Sequence, residues 1–413
     1  MLRILHTADW HLGQTLLGQP RQAEQQRALD WVLETVEANL VEALIVAGDI
    51  FDVASPAEDA RKMYNDCLAK LAKSCVKWVV IIAGNHDSPR MISNVKELAG
   101  AFNISIVAIP AAAEDCKDDL IEFRDPKTDE LRGVVAAVPF LQDRYVRSSS
   151  RDQTLEDKER ALTAGIHAHF ERLAEACNDY PKDVPVLATG HLFASGAVAR
   201  EGQDNIYVGN IKNLNATQLP SRFDYVALGH IHRPQKLPGA EHVTYSGSLI
   251  ALDFQESSDE KGVWLLDLEA GKAPDPKWIP STVVRRLKQF SGTCDEITEK
   301  VKAFGARHTD DEFTPWAEAV LVDDFADEKR RNELRQESVD AGVKLLKITR
   351  QRTATESTHQ EPEDFETLDE LSVEEVFARK CADEGIPTDV QTRLDRLFHA
   401  VVHDARTGKI EAS

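Results

Sequence analysis

The 413-residue sequence holds six cysteines, three methionines and no long apolar run. The cysteines, Cys67, Cys75, Cys116, Cys177, Cys294 and Cys381, are scattered and form no Cys-x-x-Cys pair. That spacing argues against a zinc knuckle or a disulfide framework and leaves reduced thiols serving as small apolar residues. No apolar stretch reaches the roughly 18 residues of a membrane span. The opening Met1-Leu2-Arg3-Ile4-Leu5-His6 enters a strand directly, without the basic start, apolar middle and small-residue cleavage site of a secretory leader. A cytoplasmic location is therefore expected. Gly-x-x-x-x-Gly-Lys-Ser/Thr does not occur, so no ATP site of the P-loop type is expected in this chain. A basic surplus is missing too: 49 Lys and Arg face 70 Asp and Glu, for a net charge of −21. Phosphate backbones favour basic surfaces, yet the acidity is uneven, with eleven Asp or Glu in residues 353–384 against Arg379 and Lys380. Net charge does not exclude a nucleic-acid enzyme with a locally basic groove.

What is present is an alternation of β-branched runs and amphipathic stretches. Residues 2–6, 43–47, 78–83, 186–188 and 225–228 read as buried strands, and 21–40 and 57–72 as helices with apolar residues at helical spacing. The alternation predicts an α/β sandwich with sheet at its centre. Residues 110–133 read as a hairpin insertion and 153–176 as a long charged helix. Gly271-Lys-Ala-Pro-Asp-Pro reads as a linker. Beyond it a strand-like stretch (278–290), a helix (295–304), a strand (319–322), a helix (327–341) and a strand (343–348) make a small α+β module. The expected division is a first domain over 1–270, a second over 271–352 and a flexible acidic tether over 353–367, with a helix-loop-helix over 368–406. Ser372-Val-Glu-Glu375 is a capping-box start, and Leu371, Val376, Phe377, Leu394, Leu397 and Phe398 supply apolar positions on the two tail helices. After a tether such a pair has little of its own to bury against, so it reads as a partner-docking element, with packing back on the chain's own body as the alternative.

Nearly every predicted strand ends in a polar cluster: Asp9-Trp-His11, Gly48-Asp49, Gly84-Asn85-His86, Gly190-His191 and Gly229-His230-Ile-His232. Singly, each is ordinary loop punctuation or a helix cap. Five in one chain are not, because sites in α/β folds collect at the carboxyl ends of strands. Carboxylate, amide oxygen and imidazole without thiolate favour a pair of divalent cations such as Mn²⁺, Fe²⁺ or Zn²⁺. Asp49 is the natural bridge, since one carboxylate can serve two ions roughly 3.5–4 Å apart. The glycines before Asp49, Asn85, His191 and His230 are expected to let the chain turn tightly.

This series resembles that of the calcineurin-like metallophosphoesterases, with all five motifs in order over residues 1–232. The resemblance implies that Asp9, His11, Asp49 and His232 hold one metal, and Asp49, Asn85, His191 and His230 the other. It places His86 at the phosphate, where it would protonate the leaving oxygen, with Asp87 either orienting it or capping the following helix. Two cations would neutralise the phosphodiester oxygens and lower the pKa of a nearby water.

A narrower resemblance surrounds the metal motifs. Thr7-Ala-Asp-Trp-His-Leu-Gly13, Gly48-Asp-Ile-Phe-Asp52, Gly84-Asn-His-Asp-Ser88 and Tyr245-Ser-Gly-Ser-Leu249, with Phe254, Glu256 and Lys261-Gly-Val263, are similar to the bacterial SbcD family of nucleases. That family implies a metallophosphoesterase sandwich with a capping domain that helps select DNA, a helical tail that docks an SbcC-type coiled-coil ATPase, and a homodimer within a heterotetramer. Implied activities are ATP-dependent exonuclease on double-stranded ends and endonuclease at hairpins and single strands, in DNA repair, recombination and replication, with Mn²⁺ as the expected metal. Asp52 stands where archaeal and eukaryotic relatives carry His. For the DNA backbone the first choices are Arg200 and Arg233, beside the metal motifs, followed by Arg144, Arg147, Arg151, Arg285, Arg286 and Lys288. The rival reading is a phosphomonoesterase or protein phosphatase on the same fold. It shares the ligands but has no use for a DNA-selecting cap or a docking tail.

Overall fold

The computed structural model describes residues 1–146, 154–199, 215–283, 285–322 and 328–350. The expected tether and helix-loop-helix, with Leu371, Val376, Phe377, Leu394, Leu397 and Phe398, lie outside the described residues, as do Arg147, Arg151 and Arg200.

The first third alternates as expected: β1 (Leu2–Thr7), α1 (Gln22–Ala38), β2 (Ala43–Ala47), α2 (Glu58–Leu71), β3 (Trp78–Ile82), α3 (Lys96–Gly100) and β4 (Ile104–Val107). Next come β5 (Leu120–Arg124), β6 (Leu131–Ala136), α4 (Leu155–Ala176), β7 (Val186–His191), β8 (Tyr225–Gly229), β9 (Gln235–Leu237), β10 (Ala240–Tyr245), β11 (Gly262–Leu268) and β12 (Lys277–Pro280). They form two six-stranded sheets, in the orders β12-β11-β1-β2-β3-β4 and β9-β10-β8-β7-β6-β5. Strands β1 to β4 are mutually parallel, as are β6, β7, β8 and β10.

Side-chain alternation explains the layering. Ala43, Ile45 and Ala47 of β2 and Trp78, Val80 and Ile82 of β3 meet Val135, Leu187, Tyr225 and Ala227 between the sheets. The intervening Leu44, Val46, Val79 and Ile81 point the other way, into a cluster with Leu29, Val32, Val36 and Leu68 of α1 and α2. Phe170 and Leu173 of α4 cover the second sheet's outer face. Strands buried on both faces read as continuous apolar runs, which is why these were easy to place. Helix α4 starts where it does because Thr154 and Asp157 form a reciprocal capping box. Cys67 and Cys177 sit inside the apolar clusters as small core residues. No helix among the described residues is long and apolar enough to cross a membrane.

Two expectations need correction. Residues 110–133 are not an insertion, because β6 is an interior strand paired with β7 as well as β5. The strand-like stretch 278–290 is two strands in two different sheets. Strand β12 pairs with β11, with Trp278 against Trp264, and so extends the first sheet past residue 271. Only after it does the second lobe begin, as β13 (Leu287–Gly292), α5 (Cys294–Gly305), β14 (Trp316–Leu321), α6 (Glu328–Asp340) and β15 (Lys344–Arg350). These three strands form a parallel sheet of their own over a core of Phe290, Ile297, Val301, Ala319, Leu334 and Val343. Short-range patterning cannot tell which sheet a strand joins, since that depends on partners distant in the chain.

Candidate metal centre

Loops leaving β1, β2 and β3 of the first sheet meet the ends of β7 and β8 of the second. Asp9 and His11 follow β1, Asp49 follows β2, Asn85 and His86 follow β3, His191 ends β7, and His230 and His232 follow β8. The first two loops run side by side, with Asp9 N–H donating to the Gly48 carbonyl and His11 N–H to that of Asp49, both at 3.0 Å. The backbone here is strained. Asp9 (φ 53°), His11 (φ 44°), Asp49 (φ 50°) and His230 (φ 96°) all occupy the left-handed region that non-glycine residues avoid.

The glycines work differently from the expectation. Of the four preceding the motif residues only Gly48 has positive φ, at 90°. A Cβ on Gly84 would collide with the Asp49 side chain and backbone, and one on Gly229 with the Ala47 carbonyl. Close approach to Asp49 at Gly84 and to the Ala47 backbone at Gly229, rather than tight turning, is what excludes a side chain at these positions.

The side chains converge in two groups. Asp9, His11 and His232 offer ligand atoms all within 4.8 Å of one another, and so do Asp49, His191 and His230. Asp49 lies between the groups: its Oδ2 is 3.2 Å from His191 Nε2 and 3.6 Å from His11 Nε2. Asn85 Oδ1 joins the second group, 2.9 Å from His191 Nε2 and 3.2 Å from His230 Nδ1. Asp9 also accepts the His230 N–H at 2.9 Å.

The donor chemistry fits cations. His232 Nδ1 lies 2.8 Å from the Glu256 carboxylate, which can only accept, so Nδ1 carries the hydrogen. That leaves a lone pair on His232 Nε2, which faces His11 Nε2 at 3.2 Å. His11 Nδ1 lies 3.3 Å from the Asp52 carboxylate without a hydrogen bond between them. Burial lowers His11, yet the Asp52, Asp49 and Asp9 carboxylates together raise it. Buried carboxylate and imidazole donor atoms packed this closely are the set a divalent cation takes. Proton affinities carry the same signature. Burial pushes His191 down, but the charge and hydrogen bond of Asp49, with the Asp9 charge and the Ala47 carbonyl, together outweigh it and lift the imidazole to about 9. Burial drives the Asp9 carboxyl upward against the pull of His191 and His232. Asp49 is held below the carboxylate range because His191, by charge and hydrogen bond, overcomes its burial.

His86 is exposed at the rim, its Nδ1 2.7 Å from the Asp52 carbonyl and its ring 5.0 Å from that of His11. Asp52 thus holds His86 through its backbone and faces His11 with its side chain. Asp87 does neither job expected of it. Its carboxylate is buried and accepts the N–H groups of Gly84 (2.8 Å), Phe51 (2.9 Å) and Ile50 (3.1 Å). It ties two metal-site loops together and leaves Ser88 as the cap position of the next helix. Burial, then the Asp49 charge, raise Asp87 to about 6. Arg233 is exposed directly after His232. Arg285 is committed elsewhere, bonded to Glu24 at 2.6 Å with its guanidinium over Trp316 at 4.1 Å. Arg286 pairs with Asp311 at 3.5 Å. Glu256 was visible only as part of a family likeness, since its burial against His232 depends on chain segments meeting in space.

Comparison with known proteins bears on this geometry. The family model for calcineurin-like phosphoesterases matches residues 2–234, and one described as a type 5 capsule protein repressor C-terminal domain matches 283–385, beginning just past β12. The chain is 34% identical over 409 residues to the SbcD component of nuclease SbcCD from Escherichia coli K12, covering 97% of this chain and 98% of that one. The SbcD proteins of Rhodobacter capsulatus (33% identity; 71% of this chain, 73% of the relative) and Bacillus subtilis (32%; 66% and 67%) are also similar to it.

Proposed function

Because this chain belongs to the calcineurin-like phosphoesterases and, within them, to the SbcD family of SbcCD nucleases, we propose that it cuts DNA phosphodiesters as the nuclease partner of an SbcC-type ATPase. Similarity along nearly the whole chain, rather than over the metal motifs alone, favours the nuclease reading over a phosphomonoesterase. The observation that carries it is the convergence of seven motif side chains from two sheets, their oxygen and imidazole nitrogen atoms within a few ångströms of one another.

Asp9, His11, Asp49 and His232 would hold one divalent cation, and Asp49, Asn85, His191 and His230 the second. The mixed oxygen and imidazole set favours Mn²⁺ over Mg²⁺. Bound there, such ions supply charge neutralisation of the phosphate and a more acidic water as nucleophile. The chain's own residues do the rest. His86 gives its Nδ1 hydrogen to the Asp52 carbonyl, which leaves Nε2 able to carry a proton to the departing alkoxide. Asp52 sets the face that His86 presents, and Asp87 fixes the spacing of the two loops. Arg233 stands at the rim, placed for a backbone phosphate. The apolar positions of residues 368–406 would dock the ATPase. A second copy would dock at the apolar groove between α2 and α3, where Leu98 and Phe102 are exposed beside Leu68, Ala69 and Ala72 in a cavity of about 390 Å³.

The test is purified protein with Mn²⁺ and a hairpin DNA, with and without the ATPase. Cleavage of hairpin and duplex ends, extended by ATP only when the partner is present, is expected. Hydrolysis of small phosphate esters with intact DNA would return the phosphatase.

A further inference from the structure

Outside the seven motif side chains, the end of β8 rests on a charged network that none of the motifs requires. Glu256 is 2% exposed and Lys261 8% exposed. Glu256 Oε1 faces His232 Nδ1 at 2.8 Å. Its Oε2 accepts from Lys261 Nζ at 2.7 Å and from the Leu252 N–H at 3.0 Å. Lys261 spends its other two hydrogens on Ser248 Oγ at 2.9 Å and on the His232 carbonyl at 2.8 Å. The single Ser248 hydroxyl hydrogen has two acceptors in reach, the Ile250 carbonyl at 2.9 Å and Glu256 Oε2 at 3.3 Å. The Ser248 N–H takes the remaining lone pair of the His232 carbonyl at 3.2 Å. Gly247 permits this, since a Cβ there would stand 2.7 Å from that same oxygen.

We propose that Glu256 is a positioning residue that fixes the tautomer and ring orientation of His232, with Lys261 holding the carboxylate and the His232 backbone in one grip. The inference rests on the reading of His232 as a metal ligand. The logic is that of satisfiability: an ionised carboxylate has no hydrogen to give, so the imidazole must give one, and its other nitrogen must face Asp9 and His11 as a lone pair. A buried anion behind an imidazole also makes that nitrogen a stronger electron donor. The other group is backed differently. His191 Nδ1 gives its hydrogen to the neutral Ala47 carbonyl at 2.9 Å. The two cation positions are therefore built unequally, and Glu256 acts on one of them alone.

Manganese titration of the full chain by calorimetry tests this, alongside melting of the metal-free protein. Wild type should take two ions. Glu256→Gln should weaken one of them by about 10- to 100-fold and leave the other unchanged, with the metal-free melt intact. Should the unpaired Lys261 unfold that variant, Glu256→Gln with Lys261→Met removes both charges, and the same single-site loss is expected. Two ions at wild-type affinity in either folded variant overturn the proposal. A measurement on wild type needs no variant to fold: nitrogen-15 spectra of histidine-labelled, metal-free protein, with His232 assigned by difference against His232→Asn, should show hydrogen on Nδ1. Hydrogen on Nε2 would overturn it. Failure of wild type to bind two ions would instead sink the metal reading beneath it.

Discussion

The centre at the strand ends and the seam between the two lobes both bury charge, and they balance it in opposite ways. At the seam, Glu24 is 1% exposed and accepts from Arg21 at 2.6 and 3.1 Å and from Arg285 at 2.6 Å. Arg21 also donates to the Ala251 carbonyl, and Arg285 to that of Thr314 at 2.6 Å. The Trp316 ring lies under Arg285 at 4.1 Å and beside Arg21 at 5.9 Å, among Leu16, Phe254 and Leu287. Two guanidinium groups there share one carboxylate, and their remaining hydrogens go to carbonyls of the chain. At the centre, Asp9 and Asp49 are buried among imidazoles, and His232 turns the lone pair of its Nε2 toward His11. The difference separates a closed network, which ties the lobes, from an open one completed from outside.

Removing Asp49 should break the open side most severely. Asp49→Asn is expected to weaken both cation sites together and to lower nuclease turnover about 10³-fold, since the ions supply several kcal/mol of charge stabilisation. Retention of two tightly held Mn²⁺ ions would contradict its place between the groups. The closed side breaks through folding instead. Glu24→Gln strands the buried Arg21 guanidinium and the half-buried one of Arg285 and should cost about 3 kcal/mol, read as a lower Tm that added Mn²⁺ does not selectively restore. A small loss would mean that water reaches the seam. His86→Gln sharpens the contrast inside the centre: both ions should bind as before while turnover falls about 10²- to 10⁴-fold. Unchanged turnover would remove His86 from proton transfer.

The smallest effect is one of pH. The His191 value rises from 6.5 to about 9 in the cation-free fold, so its stabilising contribution is complete below pH 6.5 and is lost as pH climbs through 9. Chelated protein should accordingly lose Tm across that interval. Mn²⁺ affinity should gain across the same interval, because binding expels the His191 proton. Asp49, held low by the same partner, stays ionised throughout. A flat Tm profile in chelator would show that no proton takes the cation's place.

Much of the centre was legible before any fold was known, because each motif is local. A buried strand must stop and its polar residues follow within four positions, as Asp9 and His11 follow Thr7, and Asp49 follows Ala47. The second lobe's helix and strand order was readable for the same reason, helped by the Thr293 and Glu296 capping box that starts α5. Misreadings came where the deciding partner was far away in the chain. Asp87 sits beside His86 in sequence, yet its carboxylate serves backbone 36 and 37 residues earlier. Arg285 resembles a free basic residue until Glu24, 261 positions away, claims it. Trp278 and Phe290 share one apolar stretch but join different sheets.

The sequence by itself determined which side chains are available to bind cations and at which strand ends they stand, because hydrophobic periodicity and chain punctuation act over a few residues. Tertiary structure alone decided how those side chains are held: the Glu256 carboxylate behind His232, the Asp52 carbonyl behind His86, the left-handed backbone at Asp49. Orientation is fixed by hydrogen bonds between segments that meet only when both sheets have closed, and no short-range pattern encodes those meetings.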